Sequence, residues 1–226
     1  MLSAMNKLLL SLCLPVFLVP AAAEDAPAPA APPAPVVIAF DDLADGEIPE
    51  SFLSTDQEAK FAIAGDKEGK FLELAGQPIV DGGLLLGKSI KGAATVTARI
   101  KATGKRRTQP RFGVGLHGVS GPRLRVVPAT RQIEIVISTD KEEAIATAPY
   151  QWTSGSWTWL EFSIRPHKDG GSTIEGRVWA ADQQRPAQPT ITATTKEPPA
   201  QGKASLWGTP YSELPIAFDD VTIKAE

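Results

Sequence analysis

Ile38-Ala39-Phe40-Asp41-Asp42 and Ile216-Ala217-Phe218-Asp219-Asp220 spell the same five residues, one copy toward each end of a 226-residue chain. In both, two apolar side chains alternate around an alanine, the period-2 mark of a strand with one buried face. An aspartate pair then turns the chain toward water. The copies read as the first and last strands of one β-sandwich, close together, with the intervening chain wound around the core they close.

Short β-prone runs fill the space between them. Strands are predicted at 36–40, 59–64, 70–75, 83–87, 93–101, 111–117, 123–128, 132–138, 144–149, 157–165, 173–180, 190–195, 203–207 and 216–224. Turn signals part them at Asp66-Lys67-Glu68-Gly69, Asp81-Gly82-Gly83, Ser120-Gly121-Pro122, Thr139-Asp140-Lys141 and Asp169-Gly170-Gly171. This pattern predicts an all-β protein, a sandwich or barrel. No helical periodicity alternates with the strands, which excludes a parallel α/β sheet. Apart from the terminal echo there is no repeat, which argues against a propeller or solenoid.

Upstream of the first strand, Met1–Ala23 reads as a secretory signal: Lys7, then the apolar run LLLSLCLPVFLV, then Ala21-Ala22-Ala23 as the cleavage site. The apolar run is shorter than the ~20 residues of a membrane span. Leu12 before Cys13 does not fit a lipoprotein signal. Residues 24–35 (EDAPAPAAPPAP) form an Ala/Pro tract with nothing to bury, an extended tether. Cleavage removes Cys13, the only cysteine, so the domain at 36–226 folds without a disulfide. About 190 residues suffice for one large core. The mature chain has 22 basic against 26 acidic residues. That balance argues against nucleic acid or an anionic membrane surface as the main partner, and the short apolar run argues against stable membrane insertion. A secreted or periplasmic monomer is the expectation.

Alternation assigns side chains to faces. Phe112, Val114 and Leu116 point to the core, leaving Arg111, Gly113, Gly115 and His117 opposite. Leu124 and Val126 oppose Arg123 and Arg125, and Ile133, Ile135 and Ile137 oppose Gln132, Glu134 and Ser138. Three consecutive strands thus share a polar, arginine-rich face on which two glycines leave room. In the hairpin at 157–180, Leu160, Phe162, Ile164, Ile174 and Val178 are core residues. Trp157, Trp159, Glu161, Glu175, Arg177 and Trp179 point away, and a turn at Asp169-Gly170 pairs Trp159 with Trp179 and Glu161 with Arg177. Flat indoles and planar polar groups suit a sugar, whose ring faces are apolar and whose edges are hydroxyls.

WTWLEFSI, the Gly-rich turn, IEGRVWA, ASLWGTPYS and the terminal PIAFDDVTI together resemble the concanavalin A-like lectin/glucanase superfamily over residues 36–225. The resemblance is to its secreted bacterial domains without assigned activity. It implies two curved antiparallel sheets in a jelly roll, with a concave face that binds glycans in many relatives. These motifs are structural and specify fold more than function.

The resulting expectation is a non-catalytic, lectin-like domain. Its ligand candidates are Arg111, His117, Arg123, Arg125, Trp157, Trp159, Glu161, Arg177 and Trp179. Whether the arginine and tryptophan groups line one cleft is left open by the sequence. A glycoside hydrolase would need two carboxyl groups about 5–5.5 Å apart for retention. The E-x-D-x-x-E motif of the laminarinase-like branch is absent, leaving Glu161 and Glu175, which read more simply as partners of Arg177 or a lysine. A cell-envelope scaffold is the third class.

With only His117 and His167 and no G-x-S-x-G elbow, neither a nucleophilic triad nor a transition-metal site is expected. Both histidines read as surface residues. No cofactor is expected beyond a structural calcium, which several relatives carry. Asp41, Asp42, Asp219 and Asp220 are its candidate ligands, although four acids supply only part of the usual 6–8 oxygens. Trp207 and Tyr211 are placed to flank a groove, and Lys105-Arg106-Arg107 reads as a solvated turn, with an anionic-glycan contact as the alternative.

Overall fold

The structure is a computed structural model that describes residues 33–78, 81–138 and 141–226. The signal at 1–23, the tether as far as residue 32, and Thr139-Asp140 of one predicted turn lie outside the described residues. In chain order the strands are β1 (Val36–Ile38), β2 (Leu53–Ser54), β3 (Phe61–Asp66), β4 (Gly69–Leu74), β5 (Gly82–Ile90), β6 (Ala94–Lys101), β7 (Arg111–Gly115) and β8 (Arg123–Val127). There follow β9 (Gln132–Ser138), β10 (Glu142–Pro149), β11 (Trp157–Pro166), β12 (Ser172–Ala180), β13 (Ile191–Thr195), β14 (Gly202–Thr209) and β15 (Ile216–Ala225). A 3-10 turn at Pro128–Thr130 joins β8 to β9.

Two antiparallel sheets form a jelly-roll sandwich. The first has the order β13-β12-β11-β6-β15-β4-β3, with β1 also on β15; the second has the order β10-β9-β8-β7-β14-β5-β2. Leu124, Val126, Ile133 and Ile135 of the second sheet meet Leu160, Phe162, Ile164 and Ile174 of the first in one core cluster. Phe162 is fully buried, so truncating it to alanine is worth about 3–5 kcal/mol. Because both inner faces are apolar, the polar residues between them in sequence lie on two outer faces, on opposite sides of the molecule.

The terminal echo is a contact. Ile38 of β1 pairs with Val221 of β15, immediately after the second copy. Phe40, Ile216 and Phe218 are fully buried. The copies diverge after phenylalanine. Asp41-Asp42 leaves the sheet in a turn, as the pattern predicts, whereas Asp219-Asp220 continues within β15 through a bulge, with Asp220 at φ 50°. Arg99 of the neighbouring β6 explains the difference. It pairs with Asp219 at 2.6 Å and Asp220 at 2.9 Å, so the second aspartate pair is held against the sheet instead of released to water.

Every predicted strand is present, with ends shifted by a few residues. Leu53–Ser54 is an additional strand, too short for a periodic signal. Gly82 and Gly83, predicted as a turn, lie inside β5. The cause is a close approach: a Cβ on Gly83 would sit 2.5 Å from the Trp207 ring.

Candidate functional site

On the outer face of the first sheet the predicted register holds, with Trp159 opposite Trp179 and Glu161 opposite Arg177. The two indoles stack at 5.9 Å with an interplanar angle of 11°. Trp179 is only 8 % exposed. Trp157 is edge-on to Phe71 and lies beneath two cations, Arg99 at 4.6 Å and Lys101 at 4.7 Å from its ring. Indole faces already covered in this way are not open platforms.

The carboxylates here are also engaged. Glu161 Oε1 accepts from Arg177 at 3.1 Å and from Arg185, and its Oε2 accepts from Arg185 Nε at 2.6 Å. Glu175 pairs with Arg165 at 3.2 Å and lies 3.8 Å from Arg177. Arg185 belongs to the β12–β13 connection and carried no periodic signal in the sequence.

The outer face of the second sheet collects Arg111, Arg123 and Arg125. The arginine and tryptophan candidates therefore lie on opposite faces and line no common cleft. Arg123 stacks over Trp207, 3.2 Å from the ring centroid, and donates to Asp81 at 2.6 Å and to the Val119 carbonyl at 2.9 Å. Trp207, 5 % exposed, is thus covered rather than lining a groove, and its Nε1–H donates to Ser205 Oγ at 2.7 Å. A Cβ on Gly115 would fall 2.5 Å from that same Oγ and 3.2 Å from Arg123 Cγ. The space left by this glycine is filled by the protein itself, contrary to the expectation of room for a ligand.

Arg125 is clamped by Glu134 at 2.8 Å and by Glu142. Burial pushes the Asp81 carboxyl above its ordinary value, and the Arg123 guanidinium only partly offsets this. Neither Asp81 nor Glu142 was singled out from the sequence, since each precedes or begins a strand instead of continuing an alternation.

Arg111 differs. Its Nη2 donates to the Tyr211 hydroxyl at 2.9 Å and its guanidinium lies 5.1 Å from that ring, but among the described residues it has no carboxylate partner. Tyr211 is 42 % exposed. Beside this pair, Asp81, Gly113, Arg125 and Thr209 line a shallow depression.

His117 departs from its expected place. It lies just past β7 at φ 65°, is 3 % exposed, and is neither on the polar face nor at the surface. His167 does sit at a surface turn, its Nε2 2.6 Å from Thr173 Oγ1. At the terminal aspartates, Asp41 Oδ1 accepts the Lys70 amide at 2.8 Å while Arg99 supplies the positive charge between Asp219 and Asp220. Among the described residues no group of three or more His, Cys, Asp or Glu is placed to hold a metal ion. No described helix is long and apolar enough to cross a membrane.

No protein-family model matches the chain, and no curated protein matches it. Solved structures do. The carbohydrate binding module CBM66 from Bacillus subtilis is similar at 14 % identity and a TM-score of 0.54, over 77 % of this chain and 96 % of that one. A Bacillus subtilis protein of unknown function with a galectin-like fold matches at 10 % identity and 0.54, over 77 % and 89 %. The marine PL-14 alginate lyase from Aplysia kurodai matches at 9 % identity and 0.52, over 78 % and 91 %. These likenesses show the fold, an all-β jelly-roll sandwich. At such identities they transfer no residue roles, and the fold serves both binding modules and lyases.

Proposed function

We propose that the domain binds carbohydrate without cleaving it, on the outer face of the second sheet beside Arg111 and Tyr211. In this reading the leader at 1–23 exports it to the periplasm or the medium. The observation that carries the proposal is the Arg111–Tyr211 pair: a guanidinium with no close carboxylate partner among the described residues, held against an exposed aromatic ring, with Arg111 lining a depression beside Asp81. A pyranose would lay its apolar face on Tyr211, take donors from Arg111, and offer hydroxyls to Asp81. The likeness to a carbohydrate binding module supports the same reading.

Against hydrolysis stands the condition of Glu161 and Glu175. A general acid must present a protonated oxygen to the glycosidic bond. Both oxygens of Glu161 already accept from guanidinium groups, and Glu175 lies between Arg165 and the same Arg177. The test is calorimetric titration of the full chain with a panel of neutral and acidic oligosaccharides. Arg111→Ala and Tyr211→Ala are each expected to weaken binding about tenfold, the scale of one lost charge-assisted contact, with the melting temperature unchanged. A wild-type protein that retains no glycan overturns the proposal, as does unaltered affinity in both variants.

A further inference from the structure

At one end of the second sheet, where β7 and β9 begin and β8 and β10 end, lies a hollow of about 430 Å³. Sugar- and drug-sized ligand sites fall in this range, roughly 300–1,000 Å³. Arg106, Arg107 and Arg131 line it, and none of the described residues lining it is acidic. Among the described residues none of the three arginines forms an ion pair. Lys105, next along the chain, pairs outward with Glu213 at 3.9 Å. In a chain with more acids than bases, three exposed arginines without ion pairs among the described residues thus gather around one hollow.

Two further observations point the same way. Arg106 and Arg131 both have φ 54°, a left-handed conformation that costs a non-glycine residue of order 1 kcal/mol. Each is fixed there by its backbone. The Arg106 carbonyl accepts from Gln109 Nε2 at 2.9 Å, inside a tight turn closed by paired Lys105–Thr108 hydrogen bonds. Arg131 closes the 3-10 turn through its amide and accepts the Tyr150 amide at 3.0 Å. Glycine or asparagine would fill both positions with less strain. Arginine at both, lining the same hollow, is what an anion site calls for. Trp152, packed on Phe112, forms another wall, and its buried Nε1–H has no hydrogen-bond acceptor among the described residues. The hollow thus presents arginines and no carboxylate among the described residues.

We infer that this hollow is an oxyanion subsite, taking the carboxylate or sulfate group of an acidic polysaccharide. The inference rests on the carbohydrate reading and specifies its ligand class. Arginine forks match planar and tetrahedral oxyanions in bidentate geometry, and the turns fix the backbone positions from which two of the three reach. Of the three, only Arg106 and Arg107 stand out in the sequence. Arg131 joins them through the β8–β9 turn.

The test uses the full chain and four probes: a uronate oligosaccharide, a sulfated oligosaccharide, a neutral oligosaccharide of equal length, and sodium sulfate alone. Arg106→Gln, Arg107→Gln and Arg131→Asn are combined, with asparagine chosen because it tolerates the left-handed backbone. The triple variant is expected to lose about a hundredfold in affinity for one or both acidic sugars, with a shallower salt dependence and unchanged binding of the neutral sugar. A loss confined to the uronate assigns a carboxylate, and one confined to the sulfated sugar assigns a sulfate; either supports the inference. The single variant Arg107→Gln, at a position without backbone strain, keeps the test valid if the triple variant unfolds, and is expected to lose about fivefold. Acidic sugars bound by wild type no better than neutral ones overturn the inference while leaving the carbohydrate reading intact. Undiminished acidic-sugar binding by the variants overturns it too; sodium sulfate that binds wild type and is lost from the triple variant supports it. Failure of every sugar to bind wild type removes both.

Discussion

The two outer faces of this sandwich are made from the same kinds of side chain and behave differently. On the first sheet, Trp159 stacks on Trp179, Arg99 and Lys101 lie over Trp157, and Arg177 with Arg185 saturates Glu161. On the second, Arg123 and Arg125 are similarly occupied, but Arg111 finishes against an exposed tyrosine and forms no close ion pair among the described residues. A ligand that displaces an existing partner gains only the difference between two contacts, whereas one that meets an unpaired donor gains the whole of it. The tryptophan-rich face therefore supports the fold, and the poorer face has donors left to give. Composition alone would have ranked them the other way.

The strongest challenge to this contrast is Trp179→Ala. A nearly buried indole is removed, and stability is expected to fall by about 3 kcal/mol, read from a urea midpoint at constant slope, with glycan affinity untouched. Loss of binding at unchanged stability would instead move the site to the first sheet. Next in size is Arg123→Ala, which uncovers Trp207 and strands Asp81, for about 2 kcal/mol.

This second change carries a pH signature. Burial holds the folded-state pKa of Asp81 above its unfolded value, and Arg123 opposes the rise. Without the guanidinium the carboxyl moves further up. A raised acid favours the folded state below its unfolded pKa and loses that contribution as pH climbs through the folded one. The deficit of Arg123→Ala should accordingly be larger at pH 7 than at pH 4, and an NMR titration of the Asp81 carboxyl should shift upward. A pH-independent deficit would mean the pair adds nothing beyond packing.

Local alternation made the strands readable, along with the Trp159–Trp179 register and the inward residues, because a strand's period-2 pattern lies within a few neighbouring residues. The assignment of hairpins to sheets depends on distant partners. β6 comes between β11 and β15, and β14 between β7 and β5, pairings that join segments up to about half the chain apart. That is why the arginines and tryptophans could not be placed on one face or two from the pattern alone. The same limit hid Arg185, Asp81, Glu142 and Arg131, which lie in or beside connections and act only through what the fold brings opposite them. The terminal echo succeeded because its message was long-range from the start: one segment repeated at both ends of a sandwich, and the ends do pair.

His117 gives the smallest effect and decides whether that residue belongs to the second face at all. It continues the alternation of Arg111, Gly113 and Gly115, yet the chain leaves the strand before it, and the left-handed turn carries the ring inward. Neither ring nitrogen has a hydrogen-bond partner among the described residues; the backbone of Ile90 and Ala200 approaches without closing a well-formed bond. Burial holds the imidazole neutral and its pKa below the ordinary value, with those backbone groups opposing the shift only weakly. The unfolded chain takes up this proton near pH 6.5 and the folded chain does so only at lower pH. The contribution of His117 to stability is thus complete above that pH and is lost as the pH falls toward the folded value. His117→Asn keeps a residue that accepts the left-handed backbone and removes the titration. Urea midpoints at pH 7.5 and 5.5 should fall further for wild type than for the variant, the carboxylates common to both cancelling in the difference. Glycan affinity should be the same in the two proteins. An equal fall would place the imidazole in water, and weaker glycan binding by His117→Asn would return it to the ligand face.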